Sequence, residues 1–254
     1  MTTIPKLIFI VPYRDREQQQ KFFDRHMRTT VLENMSVDDY KIFYIHQCDS
    51  RSFNRGGMKN IGFLYVKDRY PDDYRNITLV FNDVDTMPFT ANFLPYDTTQ
   101  GVVKHFYGYD FALGGIFSIK GGDFERVNGF PNFFLWSMED NAICQRVLNT
   151  AGLRIDRSNF YKIMDKNILQ CKDGLERVVN RKEFDRYQQK TTEGIRSIRD
   201  LEYNVDESTG FINITRFNTG FEENKQFSKV HDLRQGSIPF KPKPKRGGSM
   251  GMMY

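Results

Sequence analysis

Two pairs of acidic residues have a spacing that suits metal binding and proton transfer. The first pair, Asp83 and Asp85, stands at the carboxyl end of a short apolar run, residues 77–81. Open α/β sheets bind their ligands at this end of the strands, and strand alternation lets one of the two side chains face a crevice. Such a pair can hold a hard divalent cation against a diphosphate. The alternative is that both acids form a turn before Pro88.

The second pair, Glu139 and Asp140, follows Trp136 and begins a predicted helix. An aromatic face for stacking, next to a carboxylate that takes a hydroxyl proton, is typical of a sugar site. Acids at the amino end of a helix are also explained by compensation of the helix dipole alone. The residues by themselves leave both interpretations open.

Three arginines are candidates for binding an anionic ligand. Arg14 and Arg16 follow the first predicted strand, and a guanidinium presents paired donors that suit phosphate or uracil oxygens. Solubility of the surface is the competing explanation for these two. Arg55 lies near a helix start, where its charge opposes the helix dipole, so we expect an anionic partner, either a ligand phosphate or Asp83 or Asp85. An arginine that only clamps two loops is the alternative.

The elements that must position these residues alternate between strand and helix. Strands are predicted for residues 6–11, 41–45 and 77–81, and helices for residues 17–32 and for the segment after Asn54, the expected helix cap. This alternation predicts an α/β fold, a three-layer sandwich with a mostly parallel central sheet.

The second half of the chain has a predicted strand that contains paired glycines. Residues 111–119 are predicted to form a strand that contains Gly114 and Gly115, and paired glycines there mark a bulge or a close approach of the backbone to a ligand. The other predicted elements are a strand over residues 102–106, a helix from Asn141, a short helix over residues 182–190, and a strand pair over residues 197–203 and 211–216.

The length and the charge distribution of the chain favour one large domain. The chain has 254 residues and a formal charge of +5, much of it in a short stretch around Lys241 and Arg246. The nearly balanced body argues against nucleic acid as the main ligand. We therefore predict a single domain over residues 1–235 and a disordered basic Pro/Gly/Met-rich tail over residues 236–254.

The cysteines and the first predicted strand indicate the cellular compartment of the protein. The three cysteines cannot form a disulfide framework and suit a reducing compartment. The apolar run over residues 7–11 is too short for a signal peptide or a membrane anchor. The chain as given is therefore expected to be cytoplasmic or otherwise soluble.

Six short segments occur in a recognisable order. They are residues 12–16, 53–56, 83–85, 114–118, 128–132 and 136–141. In order and in approximate spacing they resemble the motifs of the beta-1,4-galactosyltransferase family, and residues 184–186 resemble one further short element. The resemblance implies a GT-A (Rossmann-like) glycosyltransferase that uses a UDP-sugar and inverts the anomeric centre.

The resemblance also implies roles for individual residues. Asp140 would be the catalytic base, and Asp85 would bind Mn²⁺, with Mg²⁺ as the other candidate. Trp136 would close over the donor. The UDP-sugar would contact Pro12, Arg14, Arg16, Phe53, Asn54, Arg55, Val84, Asp85, Gly115 and Trp136. The acceptor would contact Met138, Glu139, Asp140 and Asn141.

Two departures from the family's pattern concern a loop and the metal. Residues 133–138 are about two residues shorter than the family's tryptophan- and glycine-rich run, and fewer glycines are expected to stiffen a loop that closes over the donor. The family's downstream metal ligands, a Met and a His three residues apart, are missing. Ungapped alignment puts Asn167 and Gln170 there, and a shift of one residue puts Ile168 and Cys171 there. We favour Gln170, because a carbonyl oxygen suits Mn²⁺ or Mg²⁺ better than a thiol does.

The third departure is Ala112, which stands where vertebrate galactosyltransferases carry a bulky residue. In the family this side chain faces the second carbon of the donor sugar. A methyl group there leaves room for an N-acetyl group, unless Tyr109 or Phe111 refills the space.

These residues predict an inverting hexosyltransferase that moves galactose or N-acetylgalactosamine from a UDP-sugar to a glycan or glycoprotein acceptor. A catalytically silent carbohydrate-binding protein on the same fold is the alternative, because the metal ligands are altered. A nucleic-acid-binding protein that uses the basic tail is a weaker third candidate.

Overall fold

The computed structural model describes residues 3–240 of the chain. Its strands are β1 (Leu7–Tyr13), β2 (Tyr40–Gln47), β3 (Thr78–Asn82), β4 (Thr86–Pro88), β5 (Val102–Gly108), β6 (Ile116–Lys120), β7 (Arg154–Asp156), β8 (Tyr161–Lys162), β9 (Ile168–Gln170), β10 (Glu176–Asn180), β11 (Arg199–Asp206), β12 (Phe211–Asn218) and β13 (Ser228–Asp232). Its α-helices are α1 (Glu17–His26), α2 (Arg55–Arg69), α3 (Gly121–Arg126), α4 (Glu139–Leu148) and α5 (Arg181–Gln188). Shorter helical turns are Met27–Val31, Ile195–Ser197, Lys225–Phe227 and Leu233–Gln235.

A nine-stranded sheet forms the middle layer, in the order β11-β12-β2-β1-β3-β6-β5-β7, with β8 also paired to β5. Strand β1 is parallel to β2 and β3, and β12 is parallel to β2. Strands β6 and β11 are antiparallel to their neighbours. The sheet is therefore mostly parallel, as the alternation of elements predicts.

Helices cover both faces of this sheet because its central strands are apolar on both sides. Along β1, Ile8 and Ile10 belong to a core shared with α2, α3 and α4. The alternate residues Leu7, Phe9 and Val11 belong to a second core that includes Phe23 of α1. Two cores on opposite faces of one sheet confirm the predicted three-layer α/β sandwich.

The carboxyl ends of β1, β2 and β3 meet at one edge of the sheet, because these strands are parallel neighbours. Strand β6 runs the other way, so its amino end lies at the same edge, with Ile116 opposite Asn82. The segments that follow β1, β2 and β3 and the segment that precedes β6 are therefore brought together. This edge carries the candidate site.

Two predicted elements differ from the structure. The helix predicted over residues 17–32 is α-helical only to His26 and then becomes the π-helical turn Met27–Val31. The strand predicted over residues 111–119 is present only as β6, because Gly115 has a φ of +68° and Leu113 N–H donates to Asp140 O instead of to a neighbouring strand.

The carboxyl-terminal third confirms the predicted short helix as α5 and the predicted strand pair as β11 and β12. Two small antiparallel sheets, β4 with β9 and β10 with β13, stand beside the main sheet. Residues 241–254 of the predicted tail lie outside the described residues. Within residues 3–240, no helix is long and apolar enough to cross a membrane.

Candidate active site

Two adjoining cavities occupy the edge of the sheet where β1, β2 and β3 end. The larger cavity has a volume of about 660 Å³ and the smaller cavity about 350 Å³. Residues that line both include Arg55, Asp83, Asp85 and Trp136, so the two form one continuous crevice.

Most of the predicted site residues line this crevice. The larger cavity contains the predicted residues Arg55, Asp85, Ala112, Gly115, Trp136, Met138, Asp140, Asn141 and Gln170. The smaller cavity contains Pro12, Arg14, Arg16, Phe53, Arg55, Val84, Asp85 and Trp136. Asn54 and Glu139 line neither cavity, and both side chains are buried.

The Asn54 side chain forms hydrogen bonds with backbone atoms at the start of α2 and at Asn132. Its side chain accepts a hydrogen bond from Gly57 N–H at 2.7 Å, which confirms the predicted cap of α2. Its amide nitrogen donates to Asn132 O at 2.9 Å. Asn54 therefore fixes the start of α2 and with it the position of Arg55.

Of Asp83 and Asp85, Asp83 faces Lys59, whereas Asp85 forms no ion pair within the described residues. Its Oδ1 accepts a hydrogen bond from Thr86 Oγ1 at 3.0 Å, and no lysine or arginine forms an ion pair with it among the described residues. Burial and then the neighbouring charge of Asp83 raise the pKa of Asp85. A carboxylate in this situation is stabilised by a cation that comes from outside the chain.

Gln170, the last residue of β9, and Cys171, which follows it, both lie beside the turn that carries Asp85. Thr86 lies opposite Gln170 in the β4–β9 ladder, and Cys171 N–H donates to Asp85 O at 2.7 Å. Gln170 lines the larger cavity, whereas Cys171 packs against the second core. Gln170 therefore shares a cavity with Asp85. Burial, followed by the nearby charge of Asp85, raises the pKa of the Cys171 thiol, so this thiol also lies near Asp85.

These contacts suit a hard divalent cation, since a carboxylate without a paired cation and an amide oxygen are ligands of that class. Within residues 3–240 no group of three or more His, Cys, Asp or Glu side chains is arranged to hold a metal. Asp85 and Gln170 would therefore hold an ion that is also bound by oxygens of a ligand.

Lys59 connects the two acidic pairs. It is only 2% exposed, and its Nζ lies 3.5 Å from Asp83 Oδ1 and 3.4 Å from Asp140 Oδ1. Burial by itself lowers the pKa of Lys59, but Asp140 and Asp83 together raise it above its ordinary value. Lys59 is therefore a charged ammonium between the two carboxylates.

Asp140 is the second residue of α4, and its other oxygen lies against the backbone of the segment before β6. A Cβ added to Gly114 would lie 2.5 Å from Asp140 Oδ2. The Asp140 side chain is 23% exposed and lines the larger cavity. One oxygen thus faces Lys59, while the second lies over Gly114 on the cavity side, where a general base needs to be.

The ionic partner of Arg55 is Glu139. Arg55 Nη2 donates to Glu139 Oε1, and this pair replaces the predicted contact with Asp83 or Asp85. Burial by itself lowers the pKa of Arg55, but Glu139, followed by Asp140 and Asp83, raises it. The second oxygen of Glu139 is buried without a hydrogen-bond partner in the described part of the chain. Glu139 therefore positions Arg55 under the crevice.

Trp136 stands between the two cavities on a loop held at several points. Leu135 N–H donates to Phe53 O at 2.8 Å, and Trp136 N–H donates to Val178 O at 3.0 Å. The indole ring stacks on His231 of β13, with 6.3 Å between ring centroids. Strands β10 and β13 thus support the loop that the resemblance associates with donor closure.

The smaller cavity is rich in arginine. Arg14 Nη1 donates to Arg51 O, and Arg16 forms an ion pair with Asp173. Arg177 also lines this cavity and lies 3.4 Å from Asp173. These guanidiniums are held by the chain but keep further N–H donors for an anion.

Ala112 and two aromatic residues near it in sequence, Tyr109 and Phe111, all line the larger cavity. Ala112 lines the cavity, and Tyr109 and Phe111 stack on each other with centroids 5.1 Å apart. Both aromatic side chains remain about half exposed, at 45% and 54%. They line the same cavity as a stacked pair.

Sequence reasoning missed several residues of the site, including Lys59, Asp173, Arg177 and His231. One signal was available for Lys59, because a spacing of four residues places it on the same face of α2 as Arg55. The others reach the crevice from distant segments, and no local pattern indicates them.

Sequence comparisons decide the family. Two family models, for the N-terminal region of glycosyl transferase group 7 and for the N-terminal domain of galactosyltransferase, match residues 2–95 and 100–169. Together these matches cover more than half of the chain. The chain belongs to the beta-1,4-galactosyltransferase family. Family membership confirms the resemblance seen in the six ordered segments.

Relatives in this family share only part of their length with the chain. A xylosylprotein 4-beta-galactosyltransferase of Caenorhabditis elegans is 33% identical in an alignment 178 residues long, and the match covers 63% of this chain and 59% of the relative. Beta-1,4-galactosyltransferase 7 of Drosophila melanogaster is 32% identical over 164 residues, and the match covers 61% of this chain and 48% of the relative. The chain thus spans about half the length of these relatives.

The catalytic domain of the Drosophila beta-1,4-galactosyltransferase 7, solved with xylobiose, superimposes with a TM-score of 0.65 at 21% identity, over 88% of this chain and 97% of that one. A mutant of the same protein was solved with manganese, UDP-Gal and xylobiose. The superposition confirms the predicted GT-A fold.

Proposed function

We propose that the protein is an inverting, metal-dependent galactosyltransferase that moves galactose from UDP-galactose to a sugar hydroxyl. The observation that carries the proposal is the convergence of Asp85, Asp140 and Trp136 on one continuous crevice. The names of the relatives support galactose as the transferred sugar, and the UDP-Gal and manganese bound to a structural relative support the donor and the ion.

The nucleotide binds in the smaller cavity. Arg14, Arg16 and Arg177 supply donors for phosphate or uracil oxygens, and Trp136 covers the junction with the larger cavity. Arg55, paired with Glu139 below, presents charge toward the same junction. The sugar of the donor then extends into the larger cavity.

Asp85 and Gln170 would hold Mn²⁺, or Mg²⁺ in its place. When bound, such an ion would supply positive charge against the diphosphate leaving group. The unpaired charge of Asp85 supports this assignment, because no lysine or arginine among the described residues neutralises it.

Asp140 performs the chemical step. Its carboxylate accepts the proton of the acceptor hydroxyl while that oxygen forms a bond to the anomeric carbon. The bond between the anomeric carbon and the UDP oxygen breaks on the opposite face, and the electron pair leaves with UDP. Attack opposite the leaving group inverts the anomeric centre.

N-acetylgalactosamine is a second candidate sugar, and Ala112 is the observation that favours it. The methyl group lines the larger cavity, and Tyr109 and Phe111 stack on each other beside it. A pocket without a bulky residue there has room for an N-acetyl group. One small group in a pocket is usually worth about 1–3 kcal/mol, so we expect a preference for one donor and not strict exclusion of the other.

The acceptor is proposed to be a glycan whose terminal sugar lies against Met138, Asp140 and Asn141. A xyloside is the first acceptor to test, because one relative is named for xylosylprotein and a structural relative holds xylobiose.

The test is a transfer assay with UDP-galactose and UDP-N-acetylgalactosamine, each with and without Mn²⁺, and with a xyloside and an N-acetylglucosaminide as acceptors. We expect Mn²⁺-dependent transfer of galactose, and the Asp140→Asn variant serves as the matched inactive control. Binding of UDP-sugar without transfer or hydrolysis under any of these conditions would favour the silent carbohydrate-binding alternative.

A further inference from the structure

A buried ammonium group lies directly behind the proposed base. Lys59 is 2% exposed, whereas the two carboxylates that it faces, Asp83 and Asp140, are 27% and 23% exposed. The Lys59 Nζ also lies 4.8 Å from the centroid of the Phe130 ring. The cation is therefore inside the protein, and its partners are at the wall of the crevice.

Such a placement is energetically unfavourable for a purely structural residue. Removing an ammonium from water costs several kcal/mol, and a well-packed apolar side chain of similar volume is often at least as stabilising as a buried ion pair. The Phe130 ring lies beside the Lys59 ammonium, so part of the surroundings of this side chain is apolar. A methionine at position 59 would not carry the cost of burying a charge.

The positions of the two Asp140 oxygens indicate the role of the Lys59 charge. Lys59 Nζ is within 3.4 Å of Asp140 Oδ1, and Asp140 Oδ2 lies over Gly114. Because Oδ1 contacts the buried Lys59 ammonium, Oδ2 lies at the cavity wall beside Gly114. The Asp140 carboxylate thus has a contact at each oxygen before any acceptor binds.

The second partner of Lys59, Asp83, lies in the same turn as the proposed metal ligand. Asp83 lies two residues before Asp85, and Asp83 N–H donates to Gly115 O at 3.1 Å. Lys59 thereby links the first turn of α4, which carries the base, to the turn after β3, which carries the proposed metal ligand. A displacement of about 1 Å between reacting groups can reduce a rate by a hundredfold.

We propose that Lys59 is a positioning residue that holds the Asp140 carboxylate in the orientation needed to accept the acceptor proton. The inference rests on the proposed function, in which Asp140 is the base. It assigns to Lys59 an effect on the transfer step and no contact with the donor or the acceptor.

A double-mutant cycle between Lys59 and Asp140 tests this role. We expect Lys59→Met to lower kcat for transfer by about tenfold to a hundredfold, with the KM for the UDP-sugar changed less than about twofold. In the Asp140→Asn background, Lys59→Met should cause no further loss, because a residue that acts through Asp140 has nothing left to position.

Controls separate this effect from damage to the fold. Lys67→Met removes another lysine of α2 whose partner, Glu125, lies at 2.5 Å, and it should leave transfer unchanged. Lys59→Gln keeps an N–H donor at the same site, and is measured in parallel in case the methionine variant does not fold. We expect it to retain more transfer than Lys59→Met.

The outcomes are distinguishable. If the losses of Lys59→Met and Asp140→Asn multiply in the double variant, or if the KM for the donor rises as much as kcat falls, Lys59 has a general structural role and the inference is wrong. Parental transfer by Asp140→Asn would overturn the base assignment itself. An impaired Asp140→Asn with unimpaired Lys59→Met would overturn this inference and leave the proposed function standing.

Discussion

Gly114 and Asp140 lie so close that no side chain fits between them. A Cβ on Gly114 would lie 2.5 Å from Asp140 Oδ2 and 2.9 Å from its Cγ. The Leu113 N–H donates to the Asp140 backbone oxygen at 2.9 Å, so the segment before β6 and the start of α4 hold each other in place. The backbone next to the proposed base is thus part of the site.

This contact predicts that Gly114→Ala displaces the Asp140 carboxylate. We expect transfer to fall by about tenfold or more, because the base would move away from the acceptor hydroxyl. The control is Gly122→Ala, where a new Cβ would have no neighbour nearer than Arg75 Cβ, at 3.3 Å. The measurement is kcat for transfer in both variants, with thermal unfolding as the check on the fold. Equal activity of the two would contradict a close fit at Gly114.

Removal of the base should abolish transfer selectively. We expect Asp140→Asn to keep its affinity for the UDP-sugar and to lose transfer by roughly a hundredfold or more, the usual scale for a positioned base. Glu139 cannot replace it, because Glu139 is buried and paired with Arg55. Steady-state kinetics with a calorimetric donor titration separates the two effects. A parental rate in Asp140→Asn would mean that Asp140 only compensates the dipole of α4.

Removal of the proposed metal ligand should affect the donor. We expect Asp85→Ala to abolish the stimulation of UDP binding by Mn²⁺ without unfolding the protein, because the side chain has one hydrogen bond, from the Thr86 hydroxyl. Calorimetry of UDP with and without added Mn²⁺ measures this. Gln170→Ala should weaken the stimulation less, and Cys171→Ala, which removes the neighbouring thiol, is the matched control that should leave it unchanged. Equal Mn²⁺ stimulation in Asp85→Ala and the parent would remove Asp85 from the metal site.

Donor choice should depend on Ala112. We expect Ala112→Tyr to lose transfer of N-acetylgalactosamine while it retains transfer of galactose, because the larger side chain would occupy the space for the N-acetyl group. The expected change in the ratio of the two donors is about 10- to 200-fold, which corresponds to one small group in a pocket. The ratio of kcat/KM values measures it, and an unchanged ratio would show that Ala112 does not border the donor.

Stability should fall at acidic pH because of His105. Its Nε2 lies 3.2 Å from Gly114 O, its Nδ1 accepts from Arg157 Nε, and burial, followed by the charge of Arg157, lowers its pKa to about 4. The unfolded chain binds this proton below about pH 6.5, so the contribution is fully present above that value and is lost as the pH falls toward 4. The loss is about 3 kcal/mol at most.

Urea unfolding at pH 7 and pH 4.5 measures this effect as the difference between the parent and His105→Gln. The difference is needed because Glu183, whose pKa burial raises to about 7, changes stability in the opposite direction over the same range. His26→Gln, which removes a half-buried ring that contacts Pro88 O, is the control. The same dependence on pH in the parent and in His105→Gln would contradict the assignment.

Much of the fold was predictable because its signals are local. The central strands are short apolar runs, and their alternation with helices fixes a parallel sheet whatever the details of packing. Asn54 was identified as a cap from residue type and position alone, and Asp85 was placed at the ligand-binding edge because it follows a buried strand. The order of the motifs then gave the family.

The pairings inside the site were decided by tertiary structure. Arg55 needed an anionic partner on local grounds, but the choice of Glu139 over Asp83 or Asp85 depends on how α4 packs against α2. Lys59 has the sequence context of an ordinary helix lysine, and only the approach of two distant segments makes it a buried cation. Gln170 and Cys171 meet Asp85 only because β9 pairs with β4, and of the two residues it is Gln170 that lines the larger cavity. Residue type and spacing determine which groups are available, whereas long-range packing determines which of them meet.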